Sequence, residues 1–195
     1  SVTFEVTTQS IDAPKTTDQW KIPNKVPKSI KSFLSKSPQI NSTSMKLKKQ
    51  ARSITARVDG DWAKVETLYD WVRDNIEQTN EKAEGAVSCL RHKKGSHEDL
   101  VSLFVAFCRA NKIPARTVWV EGNVYAEFYL LDKNQKDSKG RIKLEGTWFP
   151  AQLVGNRDFG SMSDPRIIQQ KGDNFRVPEE EKRQNYVYEH VTAKA

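Results

Sequence analysis

Cysteine is scarce in this chain: Cys89 and Cys108 are the only two among 195 residues. Two thiols cannot build a disulfide scaffold or a four-thiolate zinc site. Histidine is nearly as rare, with His92, His97 and His190. The first two stand five residues apart, off the four-residue step that places two imidazoles on one helical face, so no metal site is expected. Long apolar runs are also missing. The longest nearly unbroken one, Leu100–Cys108, has nine residues, Ser102 among them, about half of what a membrane span needs. Mean hydropathy is −0.73, and a soluble chain with no transmembrane segment is expected. There is no phosphate-cradling glycine loop and no Gly-x-Ser-x-Gly elbow, and no cofactor is expected. Internal repeats and low-complexity tracts are absent. The length suits one domain with a well-buried core rather than two. The chain opens on Ser1 rather than methionine, which suggests an upstream targeting segment and leaves the compartment open.

What the chain has in excess is positive charge, and it is unevenly placed. Net charge is +7. Residues 1–60 hold 11 Lys/Arg and 4 Asp/Glu, whereas residues 61–195 hold 21 of each. Nine of those eleven cations are lysine, and Trp20 and Phe33 are the only aromatics interleaved with them. Nucleic-acid grooves draw on arginine for bidentate contacts and on aromatics for stacking. The composition therefore points to a solvated basic face, with at most a weak polyanion contact through the arm.

Prolines 14, 23, 27 and 38 argue against long helices in the first forty residues. They predict a basic, extended N-terminal arm over residues 1–44, with β-type alternation at Val2–Val6 and with Trp20, Ile22 and Val26 as anchors. Helical spacing follows at Met45–Val58. Trp62, Val65, Tyr69, Val72 and Ile76 recur at threes and fours behind Asp61, which is placed to cap. Ser96-His97-Glu98-Asp99 has capping-box form and opens a second amphipathic helix. Its predicted buried face is Leu100, Leu103, Phe104, Phe107 and Cys108, and Pro114 prevents continuation. Strands are predicted at Arg116–Val120, Val124–Leu131 and Lys143–Phe149, with a polar hairpin loop at Asp132–Gly140. From Gly155 onward irregular coil is expected, ending in a short strand at Tyr186–Val191. Helices followed by antiparallel strands make an α+β chain. The expected organisation is an arm (1–44), a domain (45–175) and a C-terminal extension (176–195).

Several blocks in this order resemble the core of the transglutaminase-like superfamily, a papain-like fold. They are Gly95-Ser96-His97-Glu98-Asp99 with the apolar run to Ala110, then Ile113-Pro114-Ala115-Arg116, then Gly122-Asn123-Val124-Tyr125-Ala126-Glu127, then Gly146-Thr147-Trp148-Phe149-Pro150-Ala151-Gln152. Tyr69–Ile76 is similar to the helix that precedes the nucleophile. The resemblance spans residues 45 to 175. It implies a cysteine nucleophile at the start of the central helix, a histidine at the start of one strand and an acid after the next. At a helix N-terminus a thiol gains thiolate character; the histidine takes its proton, and the acid fixes the imidazole's tautomer.

At the matching positions this sequence carries His97, Asn123 and Gln152. Asn123 cannot shuttle a proton near neutral pH, Gln152 carries no charge, and an imidazole is a poor acyl nucleophile. Substitute nucleophiles are weak: Ser96 reads as the N-cap, Cys108 as core, and Cys89 as an ordinary free thiol beside a basic run. Arg116 and Glu127 match family positions that read as structural. The expectation is a monomeric, catalytically inactive domain that binds a peptide or protein through a cleft lined by Ser96, His97, Asn123, Tyr125 and Gln152. Trp119 and Trp148 would support its walls. The alternatives are an active cysteine peptidase or amide acyl-transferase of the same superfamily, and an anion-binding module that uses the lysine-rich arm.

Overall fold

The computed structural model describes residues 5–178 and 180–187. Helices come first and an antiparallel sheet follows, as the α+β pattern predicts. The arm supplies β1 (Trp20–Lys21), α1 (Lys28–Lys31) and a three-ten turn at Ser32–Leu34. Then come α2 (Met45–Thr55), α3 (Asp61–Asn75), β2 (Glu77–Gln78), α4 (Ala86–His92), β3 (Lys94–Gly95) and α5 (His97–Ala110). Strands β4 (Ala115–Val120), β5 (Asn123–Asp132), β6 (Thr147–Ala151) and β7 (Ile168–Lys171) complete the order.

Helix α5 lies at the centre. Every residue from Asp99 to Arg109 is buried, more than the one amphipathic face predicted, because α2, α3 and α4 cover one side and β4 and β5 the other. Strand β5 is the spine of the sheet. It pairs antiparallel with β4, with β6 (Ala126 opposite Ala151, Leu130 opposite Thr147) and, at its far end, with β1. Strand β7 adds to the free edge of β4. Alternation along β5 sends Val124, Ala126, Phe128 and Leu130 into the main core under α5 and Tyr125 to the opposite face. There Tyr125 joins Val118, Val120 and Met162 in a small separate cluster. Trp62 of α3 meets Phe128, Phe149 and Phe159 edge-on at 5.1–5.6 Å, which locks the helical layer to β5 and β6.

Several local expectations are corrected. Asp61 is the first residue of α3 and does not cap it; Gly60, at φ +86°, is the N-cap. The Asp61 carboxylate instead accepts the Ile22 N–H at 3.0 Å, fastening the arm. The third predicted strand starts at Thr147 rather than Lys143, since residues 142–145 run exposed and residues 142–146 lie outside the sheet. Its Pro150 is tolerated because β5 is the one strand that pairs with β6; on the other edge β6 makes an isolated bridge, Ala151 to Phe159, in which Pro150 only accepts, from the Gly160 N–H. Helix α4 and strand β7 were not foreseen. Tyr186 and Val187 are not in a strand, and the remainder of the predicted Tyr186–Val191 strand lies outside the described residues. So do residues 2–4 of the predicted Val2–Val6 alternation, and residues 5–10 have no regular structure. Trp20 and Ile22 do pack against the core, while Val26 is only half-buried. No helix among the described residues is long and apolar enough to cross a membrane.

Candidate functional site

The N-terminus of α5 is built by a closed set of hydrogen bonds. Ser96 is the N-cap: its hydroxyl accepts the Asp99 N–H at 3.3 Å and donates to Asp99 Oδ2 at 2.9 Å, and its own N–H reaches the same oxygen at 2.9 Å. Asp99 Oδ1 accepts the N–H groups of Glu84 and Gly85 at 2.9 and 2.6 Å. The predicted capping box therefore forms, and it also nails the preceding loop to the helix start. Ser96 is committed to this role, as its N-cap reading expected.

His97 occupies the first helical position, and its Nε2 is buried without a hydrogen-bond partner among the described residues. Burial pushes its pKa down from 6.5 to about 4, and the Arg73 guanidinium pushes in the same direction. The ring is neutral at physiological pH. Glu98 beside it is half-buried, and burial, then Asp99, raise its pKa.

Asn123 opens β5 just after Gly122, whose φ of +64° makes the turn from β4. It stands on a rim between two hollows. One, of about 580 Å³, is lined by Ser96, His97, Glu98, Trp119, Asn123 and Tyr186, among others. The other, of about 320 Å³, is lined by Asn123, Tyr125, Gln152 and Met162, and by Val6–Gln9 and Ile11 of the arm. The five residues predicted to share one cleft thus divide between two adjoining hollows, with Asn123 common to both. Asn123 Oδ1 accepts the N–H of Val124 at 2.8 Å. Gln152 follows β6 directly, and Arg73 of α3 donates to its carbonyl at 2.6 Å and to those of Gly155 and Asn156 at 2.9 and 3.1 Å. Arg73 thereby sets a positive charge within reach of both His97 and the segment that begins at Gln152.

Neither thiol is poised for chemistry. Cys89 is 1% exposed, and burial, with a contribution from Asp99, pushes its pKa up to about 12 despite Lys93 nearby. The basic run at Arg91–Lys94 does not activate the thiol: Cys89 Sγ is buried beside Gly95, and burial outweighs the opposing pull of Lys93. Cys108 is fully buried in the core, and burial raises its pKa as well.

The sequence profile of the transglutaminase-like superfamily matches residues 48–152, more than half of the chain. The chain belongs to the transglutaminase-like superfamily. Among solved structures, a "putative cysteine protease" from Cytophaga hutchinsonii superposes with a TM-score of 0.52 at 19% identity, covering 83% of this chain and 70% of its own. A "putative protease" from Parabacteroides distasonis reaches a TM-score of 0.41 at 13% identity over 66% of this chain and 29% of its own. No curated protein matches the chain.

In this transglutaminase-like domain the tryptophans take different parts. Trp148 lies under Arg116, whose guanidinium sits 4.0 Å from its ring, with Phe33 edge-on at 5.3 Å. Arg116 also pairs with Glu127 at 2.6 Å, and Lys171 reaches the other oxygen of that carboxylate at 3.0 Å. This stack joins arm, β4, β5, β6 and β7, away from both hollows. Trp119 lines the larger hollow directly; its Nε1 donates to the Gly172 carbonyl, and Tyr186 meets it edge-on at 5.0 Å. Sequence reasoning missed Arg73, Met162, Tyr186 and the arm tip as neighbours of the site. Arg73 lies on the charged face of α3 beside Asp70 and Asp74, where periodicity alone reads as solvent.

Proposed function

We propose that this transglutaminase-like domain carries no working thiol triad and acts by holding an extended peptide or protein segment at the hollows around Asn123. The observation that carries the reading is the start of α5. A neutral imidazole, His97, occupies the position where the superfamily resemblance implies a thiolate, and at Gln152, where it implies an acid, an uncharged side chain stands with its main-chain carbonyl bound by the Arg73 guanidinium. In a working triad the acid stabilises the imidazolium that forms during proton transfer; the uncharged Gln152 side chain supplies no such charge. Asn123 has no titratable proton to relay. Both thiols are buried and protonated, so no sulfur nucleophile supports acyl transfer. What persists is shape: a walled hollow with Trp119 and Tyr186, polar groups along its floor and an apolar hollow adjoining it.

Labelling with a thiol-reactive electrophile at pH 7, followed by mass spectrometry, tests this reading. Both cysteines are expected to react only on denaturation. Fast labelling of native Cys89, with peptide hydrolysis or amine transfer lost on Cys89→Ala, decides instead for an active cysteine peptidase or acyl-transferase.

A second reading has its own support. Residues 19–58 contain ten Lys/Arg and no Asp/Glu. Lys21 and Lys25 share a surface depression with Ile142 and Leu144, and Lys25 also stands beside Arg141 and Lys143. This face suits a weak polyanion contact. The double variant Lys21→Glu/Lys25→Glu should elute from heparin at clearly lower salt than the native chain; equal elution rejects that contact.

A further inference from the structure

The arm is held in two unequal ways. Residues around Trp20 are anchored: Trp20 meets Phe149 at 4.6 Å, β1 pairs with β5, and the Ile22 N–H is bound by Asp61. The tip is different. Residues 5–13 are exposed throughout, and even the apolar Val6 and Ile11 keep 55% and 47% of their surface in solvent. Yet the tip lies along the 320 Å³ hollow, with Val6, Thr7, Thr8, Gln9 and Ile11 forming one wall. The rest of the lining includes Asn123, Tyr125 and Gln152, the apolar Val120, Met162 and Ile168, and Asp164 and Arg166, whose charges pair with each other at 3.4 Å. Among the described residues the tip is tied down by one antiparallel bridge, in which the Ile11 N–H donates to the Met162 carbonyl at 3.1 Å and the Met162 N–H to the Ile11 carbonyl at 2.8 Å.

We infer that residues 5–11 are a displaceable strap, a removable wall of the hollow beside Tyr125 whose place along the Met162 backbone an incoming segment must take. The inference rests on the peptide-binding reading of the cleft and names its partner class: an extended, uncharged segment rich in β-branched residues that pairs with the backbone of Met162. The tip itself, Val6-Thr7-Thr8-Gln9-Ser10-Ile11, has that character. Extended chains add to a free backbone edge through main-chain hydrogen bonds, and side-chain pockets then select among them. Tethering gives the tip an effective concentration in the millimolar range. The weak bridge therefore suffices to keep the hollow closed to poor ligands, and the apparent affinity of a good one is reduced by the closed fraction.

The test uses the full chain and a fluorescein-labelled peptide with the sequence of residues 6–11, blocked at its free end. Ile11→Pro removes the N–H that donates to Met162 and should bind the peptide about tenfold tighter than the native protein. The pair Ile11→Cys/Met162→Cys provides a reversible lock, since residues facing each other across such a bridge lie within disulfide reach and Cys89 and Cys108 are both buried. Oxidised, this variant should lose peptide binding; reduced, it should regain it. The lock compares one protein with itself, so a folding defect in Ile11→Pro leaves the test intact. Equal binding in the oxidised and reduced forms overturns the strap. If members of an extended-peptide library then bind both forms alike and lose affinity on Tyr125→Ala, the cleft still binds peptides and only the strap is rejected. If no library member binds even the reduced form, the peptide-binding reading falls with it.

Discussion

At the residue scale, the state of His97 decides most. Its pKa is depressed on folding, to about 4 from 6.5, so the folded protein prefers the neutral ring and protonation favours unfolding. Stability from this group is complete above about pH 6.5 and is lost as the pH falls from there toward 4. With allowance for the ring's partial exposure, the loss is roughly 2 kcal/mol. Urea melts at pH 7 and pH 4.5 should therefore show a steeper decline for the native chain than for His97→Gln, and an NMR titration should place the imidazole well below pH 6. Parallel declines in the two proteins refute the assignment. The same position offers a chemical probe. In His97→Cys the thiol sits at the first turn of α5 within the field of Arg73, and both effects favour the thiolate. It should label at pH 7 at least about a hundredfold faster than Cys89, whose pKa is near 12; equal rates would mean that this helix start is not electropositive.

At the element scale, the start of α5 depends on Asp99, which gathers the N–H groups of Glu84, Gly85 and Ser96 and the Ser96 hydroxyl. Asp99→Ala strands these partly or fully buried donors and should cost about 3 kcal/mol in denaturant unfolding, with Asp99→Asn losing about half of that. A loss below about 1 kcal/mol from the alanine variant would show that water replaces the carboxylate. This capping box was legible beforehand because it is local: N-cap and acid lie three residues apart, just before a long apolar run. The long helices and β4 and β5 were legible for the same reason, since their period repeats over enough residues to be read. Helix α4 was not. It has seven residues, held between Gly85 at φ +94° and Lys93 at φ +57°, too few turns for a period to show. Strand β7, Ile168-Gln-Gln-Lys171, has no apolar alternation and exists because the edge of β4 is there to pair with it. The late start of β6 has a similar origin: a Cβ on Gly146 would lie 2.2 Å from the Leu130 carbonyl oxygen, a restriction of space that no sequence window shows. Of the site, positions 97, 123 and 152 stood out through their motif blocks. Arg73 and Met162 gained their roles only once α3 met the loop after β6 and the arm tip crossed the sheet.

At the scale of the whole molecule, one ion pair decides how the ends of the chain are joined to its middle. Arg109 and Asp173 pair at 2.7 Å with side chains 1% and 3% exposed. Arg109 also donates to the Ala115 carbonyl, the Ser35 carbonyl and the Ser37 hydroxyl. The Ser37 hydroxyl in turn donates to Asp173, which also accepts the Thr117 N–H. The hub therefore links α5, β4, the arm and the segment after β7. Taking two charges out of water is costly, so the pair need not add much net stability, but breaking it leaves one charge buried alone. Arg109→Met should cost about 3–5 kcal/mol. Arg109→Met/Asp173→Leu should cost clearly less than the sum of the two single variants, because neither ion is then stranded, though the Ala115 and Ser35 carbonyls and the Thr117 N–H still lose a partner. The arm should report the difference. Trypsin should cleave after Lys31 or Lys36 in Arg109→Met under conditions that leave the native chain whole, since Ser35 and Ser37 lose their anchor between and beside those lysines. Additive costs, with an arm no more sensitive to trypsin than before, would show that the core holds the arm without the ion pair.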